Sequence, residues 1–303
     1  MENHFEEQLL TVIDEERVRR NEPLRRHTTF RVGGPADYLV MPVKAEEIKG
    51  AIQLCHKEGV PYYILGNGSN LLVGDKGYRG VMMKFHQSLN RLRVEGNVIR
   101  AEAGCSLAQI AVTALEAGLT GFEFAAGIPG TLGGAVVMNA GAYGGEMKDV
   151  LRSATVLTRD GDILELPLAE LEMGYRTSII SRKDYIVLEA RISLQRGERE
   201  EIRSKMEDLR KRRVEKQPLE YPSAGSTFKR PEGYFAGKLI QDSGLRGSRI
   251  GGAQVSEKHC GFVINTGDAT AEDIVNLIRH VVNTVKEKFG VTLEPEVKRI
   301  GEF

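Results

Sequence analysis

The sequence has no tryptophan, only three cysteines and no excess of either charge. Lysine and arginine together number 42, as do aspartate and glutamate, so the formal net charge is zero. Aromatic residues amount to 6%. A nucleic-acid-binding protein usually combines a basic surface with stacking aromatic side chains, and neither is indicated here. We therefore expect no nucleic-acid partner, while a local cationic pocket remains compatible with this composition.

The three cysteines, Cys55, Cys105 and Cys260, are far apart and form no CxxC pair. Histidines do not cluster beside them, so neither a metal site nor a disulfide framework is indicated. Two interpretations remain: small buried apolar side chains in a reducing compartment, which we favour, or a reactive thiol.

Long apolar runs are also missing. The longest, residues 124–138, is shorter than a bilayer span and is interrupted by four glycines and a proline. The first 21 residues are charged throughout and lack the pattern of a signal peptide. We therefore expect no membrane insertion and a cytoplasmic location. We also expect a monomer, which these features do not determine.

Glycine, by contrast, is abundant: it accounts for 34 of the 303 residues, and nine of these lie between Gly118 and Gly145. A first glycine-rich stretch, LGNGSNLLV at 65–73, lies between two predicted strands. A second, GIPGTLGGAVVMNAGAYGG at 127–145, carries more glycines. Successive glycines allow backbone N–H groups to form a concave anion site.

Each loop has an ordinary alternative, a hairpin turn for the first and a packing motif for the second. Neither matches the GxGxxG or GxxxxGK[ST] patterns of common nucleotide sites. Two such loops in successive α/β sections nevertheless indicate a bulky diphosphate ligand that lies between them.

Apolar periodicity predicts helices over residues 5–20 and 45–58, and alternation predicts a strand over 36–40. Strands flank the first loop, and a second, strand-rich section begins near residue 83. There, Ser106 is expected to cap a helix that Gly118 ends.

Further along the chain, Asp160-Gly161 marks a hairpin turn and residues 186–194 alternate as a strand. Residues 197–216 form a charged helix that we interpret as a solvated surface helix or a connector. Thr270 caps the strongest helix, which Gly290 closes. We expect no internal repeat.

Seven segments in order resemble a known family, and they cover the chain from about residue 20 to its end. The resemblance is to the UDP-N-acetylenolpyruvoylglucosamine reductases, flavoenzymes also called UDP-N-acetylmuramate dehydrogenases. The segments are HTTFRVGGPA (27–36), LGNGSNLL (65–72), GIPGTLGGAVVMNAGAYG (127–144), GYRTS (174–178), PSAGSTFKRP (222–231), AGKLI (236–240) and LEPEVKRIG (293–301).

This resemblance implies an α+β protein with the vanillyl-alcohol-oxidase (PCMH) type of FAD-binding fold. Two α/β subdomains, 1–82 and 83–200, would grip FAD, and an α+β domain, 201–303, would bind substrate. The C-terminal tail 297–303 is expected to pack on the first subdomain. The chain is similar to the compact second type of the family, which lacks an extra loop over the substrate, so the segment that closes over the substrate is left open.

The resemblance further implies that the two loops cradle the FAD diphosphate. The first loop offers Ser69 and Asn70 rather than a histidine or cysteine, so we expect non-covalent FAD. NADPH is the implied hydride donor and a UDP-sugar the implied substrate. The implied cofactor-binding residues are Gly66, Asn67, Gly68, Ser69, Asn70, Gly127, Ile128, Pro129, Gly130, Thr131, Gly133, Gly134, Asn139, Ala140, Gly141 and Tyr175.

Three residues match the family's catalytic positions. Arg176 would clamp the substrate carboxylate, because a guanidinium binds a carboxylate bidentately and keeps its proton. Glu296 would polarise the developing enediolate, and we expect it to be protonated or paired with Arg176 or Lys298. Ser226 would protonate the α-carbon. Without the motifs, Arg176 has the alternative of a surface ion pair and Ser226 that of a turn residue, and Glu294 is the nearby alternative to Glu296.

Other residues of the predicted site are less specific. Lys216, Lys229 and His259 are expected to contact substrate, with the alternatives of one more charge in a charged helix for Lys216 and of an ordinary histidine for His259. Tyr175 and Ser178 flank Arg176 and are expected to touch the flavin. Glu294 is interpreted as structural.

Two other functions remain to be separated. One is another FAD oxidoreductase of the same fold, such as a hydroxy-acid oxidase, which does not need Ser226. The other is a non-catalytic flavin-binding or nucleotide-binding protein, which is disfavoured because Arg176, Ser226 and Glu296 are all present.

Overall fold

The computed structural model describes residues 2–303, and the chain forms two compact units. The predicted division into three domains is a different partition and stays a prediction. The first unit comprises the residues up to Arg19, Leu39–Asn67 and Met82–Arg213, and the second comprises Arg20–Tyr38, Gly68–Val81 and Val214–Phe303.

Helices and strands alternate along most of the chain. Short 3-10 helices lie at Glu15–Arg17, Leu24–Arg26, Glu123–Ala125, Met147–Asp149 and Leu168–Glu170. The α-helices are α1 (Glu2–Val12), α2 (Ala45–Glu58), α3 (Leu107–Glu116), α4 (Leu132–Val137), α5 (Ile179–Lys183), α6 (Arg199–Lys216), α7 (Ala236–Asp242) and α8 (Ala271–Phe289).

Most strands are short. They are β1 (Val18–Pro23), β2 (Pro35–Val40), β3 (Tyr62–Leu65), β4 (Leu71–Val73), β5 (Tyr78–Lys84), β6 (Leu92–Glu95), β7 (Val98–Glu102), β8 (Leu119–Thr120), β9 (Gly141–Ala142), β10 (Gly145–Glu146), β11 (Leu151–Leu157), β12 (Ile163–Pro167), β13 (Ile186–Ser193), β14 (Gln195–Arg196), β15 (Arg249–Ile250), β16 (Ala253–Val255), β17 (Val263–Asn265) and β18 (Lys298–Ile300).

The predicted first helix, 5–20, is too long. α1 ends at Val12, a 3-10 turn follows, and Val18 begins β1. The reason lies in residues 14–17, which are all charged and cannot continue the apolar stripe of Phe5, Leu9 and Ile13 that packs α1 on α2.

Helix boundaries with a local capping signal agree with prediction. Ser106 Oγ accepts a hydrogen bond from the Gln109 N–H at 3.1 Å and starts α3. Thr270 and Asp273 form a capping box at α8, and Gly290 ends that helix in the left-handed conformation. Such caps satisfy backbone groups that a helix end leaves unpaired.

The first unit contains an antiparallel five-stranded sheet of order β12-β11-β13-β7-β6. The predicted hairpin is β11–β12, and Gly161 in its turn has a φ of 87°. Helix α4 packs on β13 and β7, so this sheet supports the second glycine-rich loop. A further, four-stranded sheet has the strand order β1-β2-β5-β3.

The second unit combines the three-stranded antiparallel sheet β15-β16-β17 with α7 and α8. β18 pairs in parallel with β4, where Lys298 faces Leu71. The buried core of this unit includes Phe30, Leu72, Phe228, Ile240, Leu245, Val263, Ile274, Leu277, Val281, Val285, Leu293 and Val297.

The predicted α+β class is confirmed. All three cysteines are buried, and burial raises the pKa of the Cys55 thiol to about 12, which disfavours a reactive thiolate. Across residues 2–303, no helix has both the length and the apolarity that a bilayer span requires.

Candidate active site

The two glycine-rich loops meet in the first unit. Asn67 Nδ2 donates a hydrogen bond to the carbonyl oxygen of Pro129 at 2.7 Å. A Cβ at Gly66 would lie 2.4 Å from Thr131 Oγ1, so only glycine allows this approach. The contact joins segments that are far apart in sequence, as one cradle requires.

The second loop is anchored by the first residue of α3, Leu107, and by Ala103, the residue that follows β7. Leu107 N–H donates to Gly130 O at 3.1 Å, and Gly133 N–H donates to Ala103 O at 2.8 Å. Gly133 also lies close to Ala103, since an added Cβ would be 3.0 Å from the Ala103 Cβ. These bonds fix the loop from one side and leave Gly134 exposed on the other.

The free donors of both loops fit a diphosphate. Among the hydrogen bonds within residues 2–303, none uses the backbone N–H of Gly66, Asn67 or Gly130. Such N–H groups bind phosphate oxygens without a charged side chain. The predicted FAD cradle is therefore compatible with the residues that form it. Of its other predicted members, Gly127 and Pro129 are exposed, and Ile128 and Gly141 are half-buried.

The remainder of the first loop belongs to the second unit. Gly68, with a φ of 61°, lies so close to His27 that an added Cβ would be 2.1 Å from the His27 carbonyl oxygen. Asn70 Nδ2 donates to the Glu296 carbonyl oxygen at 3.2 Å, and Lys298 N–H donates to Asn70 O at 3.1 Å. Asn70 therefore connects the first loop to the segment that carries Glu296.

Ser226 and Glu296 lie on neighbouring segments of the second unit. Glu296 N–H donates to Thr227 O at 2.8 Å, and Phe228 pairs with Pro295 in an antiparallel bridge. The Ser226 side chain is exposed, whereas Ala224 beside it is buried. Gly225 has a φ of 76°, which turns the chain between them.

Arg176 belongs to the first unit, at the tip of a tight turn. Gly174 and Thr177 exchange two backbone hydrogen bonds, at 3.0 Å and 3.3 Å. Arg176 has a φ of 56°, which is uncommon for a residue with a side chain, and its guanidinium lies over the Tyr175 ring at 5.2 Å. Tyr175 is 56% exposed, so its ring is available to a ligand.

The predicted substrate-binding residues have different surroundings. Lys216 is exposed at the end of α6. Lys229 forms an ion pair with Glu294, which agrees with a structural role for Glu294. His259 Nδ1 accepts from Gly261 N–H at 3.1 Å, and burial lowers the pKa of this histidine, which favours its neutral form.

Sequence reasoning did not identify Arg213. Its side chain lies against Gly127, where an added Cβ would be 3.1 Å from Arg213 Cδ, and burial lowers the pKa of its guanidinium. No ion pair of residues 2–303 includes Arg213. A partly desolvated arginine at this loop is suited to bind an anion, but its position in a charged helix gave no signal.

Comparison with known families divides the chain into two matched regions. Residues 36–167 match the FAD binding domain model. Residues 217–300 match the model of the C-terminal domain of UDP-N-acetylenolpyruvoylglucosamine reductase.

Curated relatives extend this similarity to the whole chain. The UDP-N-acetylenolpyruvoylglucosamine reductase of Lachnoclostridium phytofermentans is 57% identical over 306 residues, which cover 100% of this chain and 99% of the relative. That of Caldanaerobacter subterraneus subsp. tengcongensis is also 57% identical, with 98% of each chain covered.

Solved structures agree in fold. The UDP-N-acetylenolpyruvylglucosamine reductase of Thermus caldophilus is similar with a TM-score of 0.80 and 37% identity, over 93% of this chain and 97% of that one. The glucose dehydrogenase Phl p 4.0202 has a TM-score of 0.50 at 12% identity, over 65% of this chain and 44% of that one. The second similarity concerns the fold alone and supports the predicted class.

Proposed function

The chain belongs to the UDP-N-acetylenolpyruvoylglucosamine reductase family and is an FAD-dependent oxidoreductase, and we propose that it reduces UDP-N-acetylenolpyruvoylglucosamine to UDP-N-acetylmuramate with NADPH as the hydride donor. The reaction supplies a precursor of peptidoglycan. The observation that carries the proposal is the pairing of the Ser226 and Glu296 segments beside Asn70 of a glycine-rich loop.

When bound, FAD would supply hydride-transfer chemistry between NADPH and the enolpyruvyl group. The loops at 66–70 and 127–141 would hold its diphosphate through backbone N–H groups, and Arg213 would add a cation beside Gly127.

The protein's part in substrate reduction is to stabilise charge and deliver one proton. Arg176 would hold the substrate carboxylate, on which negative charge accumulates as the methylene carbon accepts hydride. Glu296 would polarise this developing enediolate. Ser226 Oγ would then protonate the α-carbon, which is strongly basic at that stage, so that a weakly acidic hydroxyl suffices.

Local backbone geometry supports this role for Ser226. The side chain is exposed, and Gly225 before it takes a left-handed conformation with no atom near its missing Cβ. A substrate can therefore approach Ser226 closely. Lys216, Lys229 and His259 are proposed to contact the UDP-sugar, and Tyr175 the flavin.

The wider organisation is also proposed. Subdomains 1–82 and 83–200 would hold FAD and residues 201–303 the substrate, in support of which the two family models end and begin at 167 and 217. Pairing of β18 with β4 supports packing of the tail on the first subdomain. Three free cysteines support a cytoplasmic enzyme, which we expect to be a monomer.

A coupled assay tests the proposed activity. The purified protein is expected to show a flavin spectrum and to oxidise NADPH rapidly only when the enolpyruvyl UDP-sugar is added. UDP-N-acetylglucosamine, which lacks the enolpyruvyl group, is the matched control. NADPH oxidation that the enolpyruvyl substrate does not stimulate would overturn the proposal and favour another oxidoreductase of this fold.

A further inference from the structure

The Asn139 side chain is engaged inside the first unit. It is 1% exposed, and its Nδ2 donates to Glu146 Oε2 at 2.8 Å and to Gly174 O at 3.2 Å. Its Oδ1 accepts from Lys148 N–H at 2.9 Å. A primary amide has two N–H donors, and both have protein partners here.

One of these partners belongs to the turn that presents Arg176. Gly174 and Thr177 close the turn with two backbone hydrogen bonds, and Tyr175 and Arg176 form its tip. The bond from Asn139 therefore fixes the N-terminal side of the turn. It connects the turn to the glycine-rich loop, since Asn139 follows α4 by two residues.

A second, independent contact holds the other side of the same turn. Ser178 is fully buried, and its Oγ donates to the Val137 carbonyl oxygen at 2.6 Å. Asn139 thus holds the chain at Gly174, immediately before the Tyr175-Arg176 tip, and Val137 holds it at Ser178, two residues after the tip. The Ser178 hydroxyl is committed to this bond, although the sequence suggested a flavin contact.

The backbone at both ends of the connection is unusual. Arg176 has a φ of 56°, in the left-handed region that most side chains disfavour, and Asn139 has a φ of 46°, in the same region, which asparagine adopts more readily than most residues. Such conformations persist only where surrounding contacts hold them. The hydrogen bonds of Asn139 and Ser178 supply these contacts.

We propose that Asn139, with Ser178, is a positioning residue that sets the Arg176 turn against the glycine-rich loop, and so couples the cofactor cradle to the substrate carboxylate. This inference rests on the proposed role of Arg176. It replaces the predicted contact between the Asn139 side chain and the flavin, because both N–H donors of that side chain are used within the protein.

The test removes the amide without adding backbone strain. Asn139→Gly accepts a positive φ, Ser178→Ala removes the second contact, and Arg176→Ala reports the proposed function. Three quantities are measured for each holoenzyme: the FAD dissociation constant, flavin reduction by NADPH, and reoxidation of reduced flavin by the enolpyruvyl substrate. Amide hydrogen exchange of residues 173–178 provides a readout that does not depend on activity.

Asn139→Gly and Ser178→Ala are each expected to slow substrate-driven reoxidation by roughly 10- to 100-fold, as a misplaced catalytic group does. FAD affinity and NADPH-driven reduction should be retained, and hydrogen exchange in the turn should rise. Combined with Arg176→Ala, Asn139→Gly should add no further loss, because the guanidinium it positions is absent.

Other outcomes separate the positioning role of Asn139 and Ser178 from the proposed role of Arg176. Loss of FAD affinity with slowing of both half-reactions in Asn139→Gly would overturn the inference in favour of a direct cofactor contact. If Arg176→Ala slows reoxidation but neither Asn139→Gly nor Ser178→Ala does, the inference alone fails. If Arg176→Ala leaves reoxidation unchanged, the proposed role of Arg176 fails and the inference with it. Should Asn139→Gly not fold, Ser178→Ala carries the same test.

Discussion

The backbone N–H of Glu296 donates a hydrogen bond to the carbonyl oxygen of Thr227 at 2.8 Å. Because Ser226 precedes Thr227, this bond places the proposed proton donor and the proposed enediolate-polarising residue on adjacent chain segments. A second bond, from Lys229 N–H to Glu294 O at 2.9 Å, continues the pairing. Backbone contacts within the second unit therefore set this pair of segments.

Replacement of the proposed proton donor should separate the two half-reactions. We expect Ser226→Ala to slow substrate-driven flavin reoxidation by about 10²- to 10⁴-fold, the usual contribution of a positioned acid. Flavin reduction by NADPH should persist, and stopped-flow absorbance follows both steps. Ser223→Ala, in the same stretch, is the control and should behave as the parent. If both steps were lost together, Ser226 would instead serve folding or binding.

The two nearby glutamates should differ strongly. Glu296→Gln is expected to lower kcat by about 10²- to 10³-fold, as loss of one group that stabilises a developing anion does. Glu294→Gln breaks only the exposed ion pair with Lys229, which costs at most about 1 kcal/mol of stability. Steady-state kinetics and thermal denaturation compare the two variants in kcat and in stability. A larger loss of kcat in Glu294→Gln would reverse the assignment.

Gly134 tests whether the exposed side of the second loop faces the cofactor. An added Cβ has no protein atom nearer than Thr131 Oγ1 at 3.8 Å, and alanine favours a helix by up to about 1 kcal/mol. Gly134→Ala should therefore raise the melting temperature of the apoprotein and yet weaken FAD binding by about 1–3 kcal/mol through overpacking.

The control for this variant is Gly66→Ala, in which the new methyl group meets Thr131 inside the protein. It should destabilise the apoprotein as well as the holoenzyme. Thermal melts without FAD and fluorescence titration with FAD make the comparison. Unchanged FAD affinity in Gly134→Ala would show that the cofactor does not lie against this glycine.

Stability below pH 5 should depend on Glu47. Burial alone raises the pKa of this carboxyl, but hydrogen bonds from Arg17, at 2.6 Å and 3.0 Å, and from Val43 N–H outweigh burial and lower it. The ion pair therefore contributes its full stability above the unfolded-state pKa of about 4.3 and loses it as pH falls through the lower folded-state pKa.

Glu47→Gln should lower the free energy of unfolding at pH 7 by about 3 kcal/mol, because it leaves the Arg17 charge without its main partner. In this variant, the free energy of unfolding should also decrease less steeply between about pH 5 and pH 3. Urea denaturation across this range measures both effects. Lys44→Gln, which removes a mostly exposed lysine 3.8 Å from Glu47, is the control and should change little.

Local sequence signals predicted the elements that depend on local chemistry. Ser106 and Thr270 cap their helices through groups three residues away, and Gly161 and Gly290 occupy positive-φ positions. The prediction ran past the end of α1 and the charged residues 14–17, and it also missed the strand that begins at Val18, which is stabilised by pairing with a distant strand, β2. No periodicity within residues 14–20 reports that partner.

The candidate site shows the same division between features that local motifs identify and features that depend on distant contacts. Motifs identified both glycine-rich loops, Arg176, Ser226 and Glu296 as candidates, although their roles remain proposals. They did not identify Arg213, whose contact with Gly127 joins residues far apart in the chain.

The sequence by itself determined which chemical groups are present and where helices and turns begin, because propensities and caps act over a few residues. Only the tertiary structure decided that Asn67 meets Pro129, that Thr227 meets Glu296 and that Asn139 holds the Arg176 turn. Each of these contacts uses a backbone carbonyl oxygen, a group that every residue carries. No side-chain pattern can therefore mark the partner, and the folded chain alone selects it.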